Sequence, residues 1–234
     1  MKILVGICNQ CAFEGVQNHN VSFQEITDEG IYKYTCSKGH EVTMLLGQEK
    51  FELLFEMGAM ALIDGYPREA VTSFAASLER FYEFFIRVII EHKQIDFDEF
   101  QKTWKLVKVQ SERQLGSFYF LYLNEFKQAP PKLHDDLVKF RNDVTHKGLI
   151  PKYDEVINYS KKLFEYMSKV LSILKEGYSD SIRDARFKRE DITMKKHNIQ
   201  SSGGMSILTM LSSNETFEEA FEQLKRRAQF IYSK

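Results

Sequence analysis

The chain has 234 residues, 43% of them hydrophobic and 28% charged, with only 4 Pro and a formal net charge of −1. That is ordinary globular material, rich in helix formers and long enough for one large domain or one domain with appendages. Near-neutral charge provides no global basic field, so an RNA partner would need a local patch. No apolar run is long enough to span a bilayer: the richest, Phe84 to Ile90, is short and carries Arg87. The apolar start from Met1 to Ile7 runs straight into Cys8, unlike a secretory leader, and the 3 Cys, all before residue 40, do not make a disulfide framework. A cytoplasmic protein is expected.

Residues 1–47 differ from the rest, with every Cys and several short alternating segments. Val21 to Ile26 and Ile31 to Tyr34 flank Asp28-Glu29-Gly30, which predicts a small β-hairpin. Residues 48–178 predict a helical domain. Phe51, Leu54, Phe55 and Leu62 recur at helical spacing up to Gly65, and Pro67 starts the next element. A long amphipathic helix follows from Arg68 to Lys93, then shorter ones at Asp98–Val107 and Ser111–Phe126. Pro130-Pro131 is read as opening a further helix that stops at Lys147-Gly148, where Gly suits a left-handed C′ position and Pro151 blocks continuation. A last long helix runs from Tyr153 to Gly177, with Val156, Tyr159, Leu163, Met167, Val170 and Leu174 inward.

Residues 179–234 predict a polar linker and a C-terminal amphipathic helix. Gln200-Ser201-Ser202-Gly203-Gly204 has linker composition. Thr216-Phe217-Glu218-Glu219 spells a capping box, and Phe217, Phe221, Leu224 and Ile231 make one apolar face. The fold class is therefore mainly α: a helical bundle preceded by a small β unit and followed by a linker and closing helix.

Cys8-Asn9-Gln10-Cys11 and Cys36-Ser37-Lys38-Gly39-His40 have metal-ligand spacing. A two-residue gap lets one tight knuckle present two thiolates to the same ion. The second gap is one residue longer, which suits His, and Gly39 permits a sharp turn. Three thiolates and one imidazole make a closed tetrahedral site for structural Zn²⁺ at Cys8, Cys11, Cys36 and His40. His19 is a rival fourth ligand, and a plainer reading makes the cysteines small buried residues.

Arg141-Asn142-Asp143-Val144-Thr145-His146 combines a cation, an amide and an imidazole just before a helix stop. Spacing alone is weak, because Arg87-Val88-Ile89-Ile90-Glu91-His92 repeats it among core aromatics. Around residue 141, however, Asn142 lies one turn from His146 and could orient the ring. At about 100° per residue, Leu137, Phe140 and Val144 form one stripe, and Asn142 and His146 fall on the opposite side. His146 also sits in the last turn, where the negative helix end favours the imidazolium. The competing reading makes both residues solvated surface groups. Phe118 to Leu123 reads as core rather than a base-stacking platform. Arg183, Arg186, Lys188, Arg189, Lys195 and Lys196 read as a solvated connector or, alternatively, an RNA-steering segment.

Phe140-Arg141-Asn142-Asp143-Val144-Thr145-His146-Lys147-Gly148 before Pro151 and a long helix, with Ser77 to Val88 on an earlier long helix, resembles the HEPN superfamily of small helical domains. The likeness covers residues 48–178. It implies a helical bundle that forms a homodimer through the motif helices, bringing two Arg–His pairs into one composite cleft. It also implies metal-independent endoribonuclease activity on an RNA substrate, in microbial antiviral defence or a toxin system, under an inhibitor or activator partner. By this resemblance Arg141 holds the scissile phosphate, Asn142 positions His146 or the phosphate, and His146 transfers a proton during 2′-OH attack. Some toxin members carry a modified Tyr two residues after the His; Gly148 stands there, so that regulation does not transfer. The alternative function is a non-catalytic helical and zinc-ribbon module that binds a protein or nucleic acid.

Overall fold

The computed structural model describes residues 2–5, 8–15, 22–199, 203–205 and 209–232. The chain divides into two compact units: residues 1–48 with 186–207, and residues 49–185 with 208–234.

In the first unit β1 (Lys2–Val5) pairs antiparallel with β2 (Ser22–Glu25), and the short helix α1 (Asn9–Phe13) lies between them in sequence. A separate sheet contains β3 (Ile31–Thr35), β4 (Glu41–Leu46) and β5 (Gly203–Met205) in the order β3-β4-β5. β3 and β4 are antiparallel, with Ile31 opposite Leu45 and Thr35 opposite Glu41; β5 runs parallel to β4. The expected hairpin between the 21–26 and 31–34 segments does not form. β3 instead turns back through Cys36–His40 onto β4, which buries Met44, Leu45 and Leu46. Gly39, at φ +85°, supplies the left-handed residue in that turn.

The second unit is built around α3 (Pro67–His92), a 26-residue helix about 39 Å long at 1.5 Å per residue. α2 (Lys50–Ile63) packs on it through Phe51, whose ring lies 5.4 Å from Phe81 and 5.0 Å from Phe84, and through Phe55, 4.8 Å from Phe74. Gly58 is what permits this approach: a Cβ there would meet the Phe74 ring at 2.8 Å. Gly65, at φ +83°, ends α2, and Pro67 occupies the first turn of α3, where no N–H partner is needed. α4 (Phe97–Val107) sets Phe100 and Trp104 against Ile86. α5 (Ser111–Phe126) follows. Its aromatic run is not all core: Phe118 and Tyr122 are buried, whereas Phe120 is 75% exposed. A helix turns successive side chains by 100°, so six consecutive residues cannot all face inward.

α6 (Asp135–His146) starts later than Pro130. Pro131 disfavours helix at the residue before it, Leu133 is buried, and the Tyr166 hydroxyl donates to the Pro131 carbonyl at 3.2 Å, so residues 127–134 stay irregular. α7 (Tyr153–Gly177) buries the stripe expected of it: Val156, Tyr159, Leu163, Met167, Val170 and Leu174. α3 is the common neighbour, contacting α2, α5, α6 and α7.

Residues 179–196, expected as linker, form α8 (Ser179–Lys196), of which only Ala185 is buried. Charge pairs along the helix replace an apolar face, with Arg183 to Asp180 at 2.9 Å and Lys195 to Asp191 at 2.6 Å. Of the expected linker at 200–204, residues 200–202 lie outside the described residues, while Gly203 and Gly204 belong to β5. α9 (Phe217–Tyr232) closes the helical unit. Its capping box forms as expected: the Glu219 N–H donates to Thr216 Oγ1 at 3.3 Å, and the Thr216 N–H donates to Glu219 Oε2 at 2.9 Å. Phe217, Phe221 and Leu224 are buried; the side chain of Ile231 lies outside the described residues.

Candidate functional site

The cysteine-rich unit brings Cys8, Cys11, Cys36 and His40 together, with all four ligand atoms within 4.8 Å of one another. Cys11 Sγ lies 3.6 Å from Cys36 Sγ and 3.5 Å from His40 Nδ1, and Cys8 Sγ lies 3.7 Å from the same nitrogen. Metal–ligand bonds of about 2.0–2.3 Å in a tetrahedron require ligand–ligand edges of about 3.3–3.8 Å. The donor set and spacing therefore fit an ion such as zinc. Cys8 caps α1, its sulfur accepting from the Cys11 N–H at 3.5 Å, while Cys36 and His40 bracket the β3–β4 turn through a 3.0 Å backbone bond. Burial acts to raise the Cys36 thiol, but hydrogen bonds from the backbone of Lys38 and His40 and from Cys11 and Cys8 together outweigh it and bring the thiol to about 7. Burial, then hydrogen bonding to Cys36 and Cys8, pushes Cys11 up to about 12. The rival ligand His19 lies outside the described residues.

At the end of α6, Leu137 and Val144 are buried and Phe140 is half-buried, its ring 5.4 Å from that of Tyr159. His146 is exposed in the last turn, and Asn142 is half-buried. The Asn142 amide makes no hydrogen bond to His146, contrary to expectation, and neither side chain has a hydrogen-bond partner among the described residues. Among the described residues Arg141 has one ionic neighbour, Glu79 on α3, at 4.0 Å; the two side chains are 26% and 33% exposed. The helix end is firm. Asp143 accepts from the N–H groups of Lys147 at 3.2 Å and Leu149 at 3.0 Å, its carboxylate pairs with Lys147 at 2.8 Å, and Gly148 adopts φ +74°.

Arg87 and His92, the chain's other pair with this spacing, are committed elsewhere. Arg87 donates to buried Glu49 at 2.5 Å and lies over the Phe84 ring. His92 meets the Tyr178 ring edge-on and lies 3.8 Å from Glu125, which also binds Lys93 and the Tyr178 hydroxyl. Burial alone would raise the Glu125 carboxyl, but Lys93 and Tyr178 hold it below the usual carboxylate range.

The basic stretch on α8 is largely engaged with its own unit or its own acids. Arg189 donates to the carbonyls of Gln48 and Gly47 at 2.8 and 3.0 Å, Arg183 pairs with Asp180, and Lys195 pairs with Asp191. Among the described residues no helix is long and apolar enough to cross a membrane. In comparisons with known protein families, curated proteins and solved structures, nothing matches this chain.

The sequence alone did not single out Glu79 or Tyr159 beside Arg141. Both come from helices distant in sequence, and only the packing of α6 and α7 on α3 assembles them.

Proposed function

We propose that the chain is a HEPN-type endoribonuclease with an N-terminal zinc ribbon, acting as a homodimer in microbial antiviral defence or a toxin system. The observation that carries this reading is the uncommitted state of Arg141 and His146. A cation and an imidazole stand on one accessible helix end with no strong partner among the described residues, while the same two residue types at 87 and 92 are engaged within the fold. RNA supplies its own nucleophile, so cleavage needs a base, an acid and positive charge at the phosphate. Arg141 holds the phosphate and neutralises its developing charge. Asn142 offers a hydrogen bond to the phosphate, and His146 moves a proton. The products are a 2′,3′-cyclic phosphate and a 5′-OH.

Val138, Leu149, Ile150 and Tyr153 are exposed apolar residues flanking the motif, at 39%, 44%, 79% and 43%. Such a cluster beside polar functional groups supports a second copy covering this helix end. In the cysteine-rich unit, Cys8, Cys11, Cys36 and His40 hold Zn²⁺ in a closed site. Bound there, the ion cross-links two knuckles in a unit too small to fold on its apolar core alone.

The purified chain is expected to cleave RNA in EDTA and leave cyclic phosphate ends; ends bearing 5′-phosphate would contradict the mechanism. Metal analysis is expected to find one zinc per chain, lost in Cys36→Ser. Unchanged metal content in that variant would remove the zinc assignment.

A further inference from the structure

Attack by a 2′-OH involves two proton transfers, and within one copy the α6 motif carries one imidazole, His146, for them. Resting on the ribonuclease reading above, we infer that Glu79 on α3 is a second catalytic residue: the general base for the 2′-OH, with His146 as the acid for the leaving oxygen.

Glu79 is the only carboxylate in ion-pair range of Arg141 among the described residues, with Oε1 at 4.0 Å from the guanidinium. A phosphate gripped by Arg141 therefore has the Glu79 carboxylate beside it. Both side chains are partly exposed, so a strand of RNA can reach them. Nearby acids are engaged: Glu83 pairs with Arg80 at 2.6 Å, and Asp143 with Lys147 at 2.8 Å. Glu79 accepts no hydrogen bond among the described residues, which leaves its lone pairs open to a hydroxyl.

Tyr159 is the other group at this place. It is 2% exposed, its ring packs on Phe140, and its hydroxyl has no hydrogen-bond partner among the described residues. Burial raises its phenol, with Arg141 and Glu79 acting on it in opposite directions. A phenol kept neutral serves as a donor to a phosphate oxygen, not as the base. His146 stands five residues along α6 from Arg141, about 8.6 Å between Cα atoms in a regular helix. In-line displacement puts attacking and leaving oxygens on opposite sides of phosphorus. Glu79 at the Arg141 side and His146 in the exposed last turn of α6 can flank a phosphate in that way.

The step balances. Glu79 takes the 2′-OH proton as the 2′-oxygen bonds to phosphorus. The P–O5′ bond breaks, and the departing oxygen takes the proton carried by His146. Protonated Glu79 and neutral His146 then exchange protons with water.

The test uses the full chain and two otherwise identical RNA oligonucleotides, one with the natural 5′-oxygen at the cleavage position and one with 5′-sulfur. Sulfur leaves without help from an acid. A general acid or base contributes about 10²–10⁴-fold, so Glu79→Gln is expected to slow both substrates by at least about 100-fold. KM and thermal melting should stay near wild type, and Glu79→Asp should regain part of the rate. His146→Ala is expected to slow the oxygen substrate by a similar factor and to recover on the sulfur substrate. Glu79→Gln cleaving within threefold of wild type, or recovering on sulfur, overturns the assignment while leaving the ribonuclease reading intact. A wild-type chain that cleaves neither substrate overturns both.

Discussion

Two ends of helices in the same unit carry an Arg and, five residues later, a His that closes the helix. At the end of α3, Arg87 reaches into a buried carboxylate and His92 joins a cluster with Glu125, Lys93 and Tyr178. At the end of α6, Arg141 has only Glu79, at 4.0 Å, as an ionic neighbour among the described residues, and His146 is exposed. Residue types, spacing and helix position are the same; the difference lies in what the surrounding helices present. α3 runs through the centre of its unit, so polar groups near its end are drawn into internal pairs that offset their desolvation. α6 touches that centre along one stripe, leaving its last turn open. Among the described residues, the two ends differ in how far the surrounding helices pair their Arg and His.

The widest gap between the two ends should appear in stability. Arg87→Ala leaves Glu49, 3% exposed, without its 2.5 Å partner. Removing one member of a buried pair costs about 3–5 kcal/mol. Arg141→Ala loses a long, half-exposed contact and should cost less than about 1 kcal/mol. Urea unfolding of the two variants measures both; equal losses would erase the contrast.

A smaller effect is expected around His92. The folded-state value of Glu125 lies below its unfolded one, so its contribution is present above the unfolded carboxylate range and is lost as pH falls through the folded value. Tyr178→Phe removes the 2.8 Å donor to that carboxylate. It should lower stability at neutral pH by about 1.5 kcal/mol and flatten the decline on acidification. A variant melting curve parallel to wild type across pH 3–7 would count against the Glu125 cluster as described. Smallest of all on stability is Ile150→Asp, at 79% exposure within about 0.5 kcal/mol. Its effect belongs to association. Sedimentation should show a shift toward monomer with a matching loss of cleavage, and an unchanged dimer would move the interface elsewhere.

Much of this architecture could be read from residues. Gly65-Tyr66-Pro67 marks the α2–α3 junction, the apolar stripe from Val156 to Leu174 marks α7, and Thr216 to Glu219 marks the start of α9. Cys8, Cys11, Cys36 and His40 were legible as a ligand set because two short spacings carry the geometry locally. Strand partners were not legible. The turn at Asp28-Glu29-Gly30 is real, with the Gly30 N–H donating to the Thr27 carbonyl at 3.2 Å, but a turn does not say which strands pair across it. α8 escaped notice because its order comes from charge pairs on a helix with almost no buried face. Glu79 beside Arg141 could not be read because nothing local ties it to residue 141; the two meet only where α3 and α6 pack together.

The most direct measurement is RNA cleavage in EDTA by wild type, His146→Ala and His92→Ala at matched folded concentration. Each variant removes one imidazole from the closing turn of a helix, at the same distance from an Arg. His146→Ala is expected to lose at least about 100-fold in rate with unchanged melting, and His92→Ala to stay within a few-fold of wild type. Equal rates for the two variants, whether both high or both low, would contradict the assignment of function to the α6 pair.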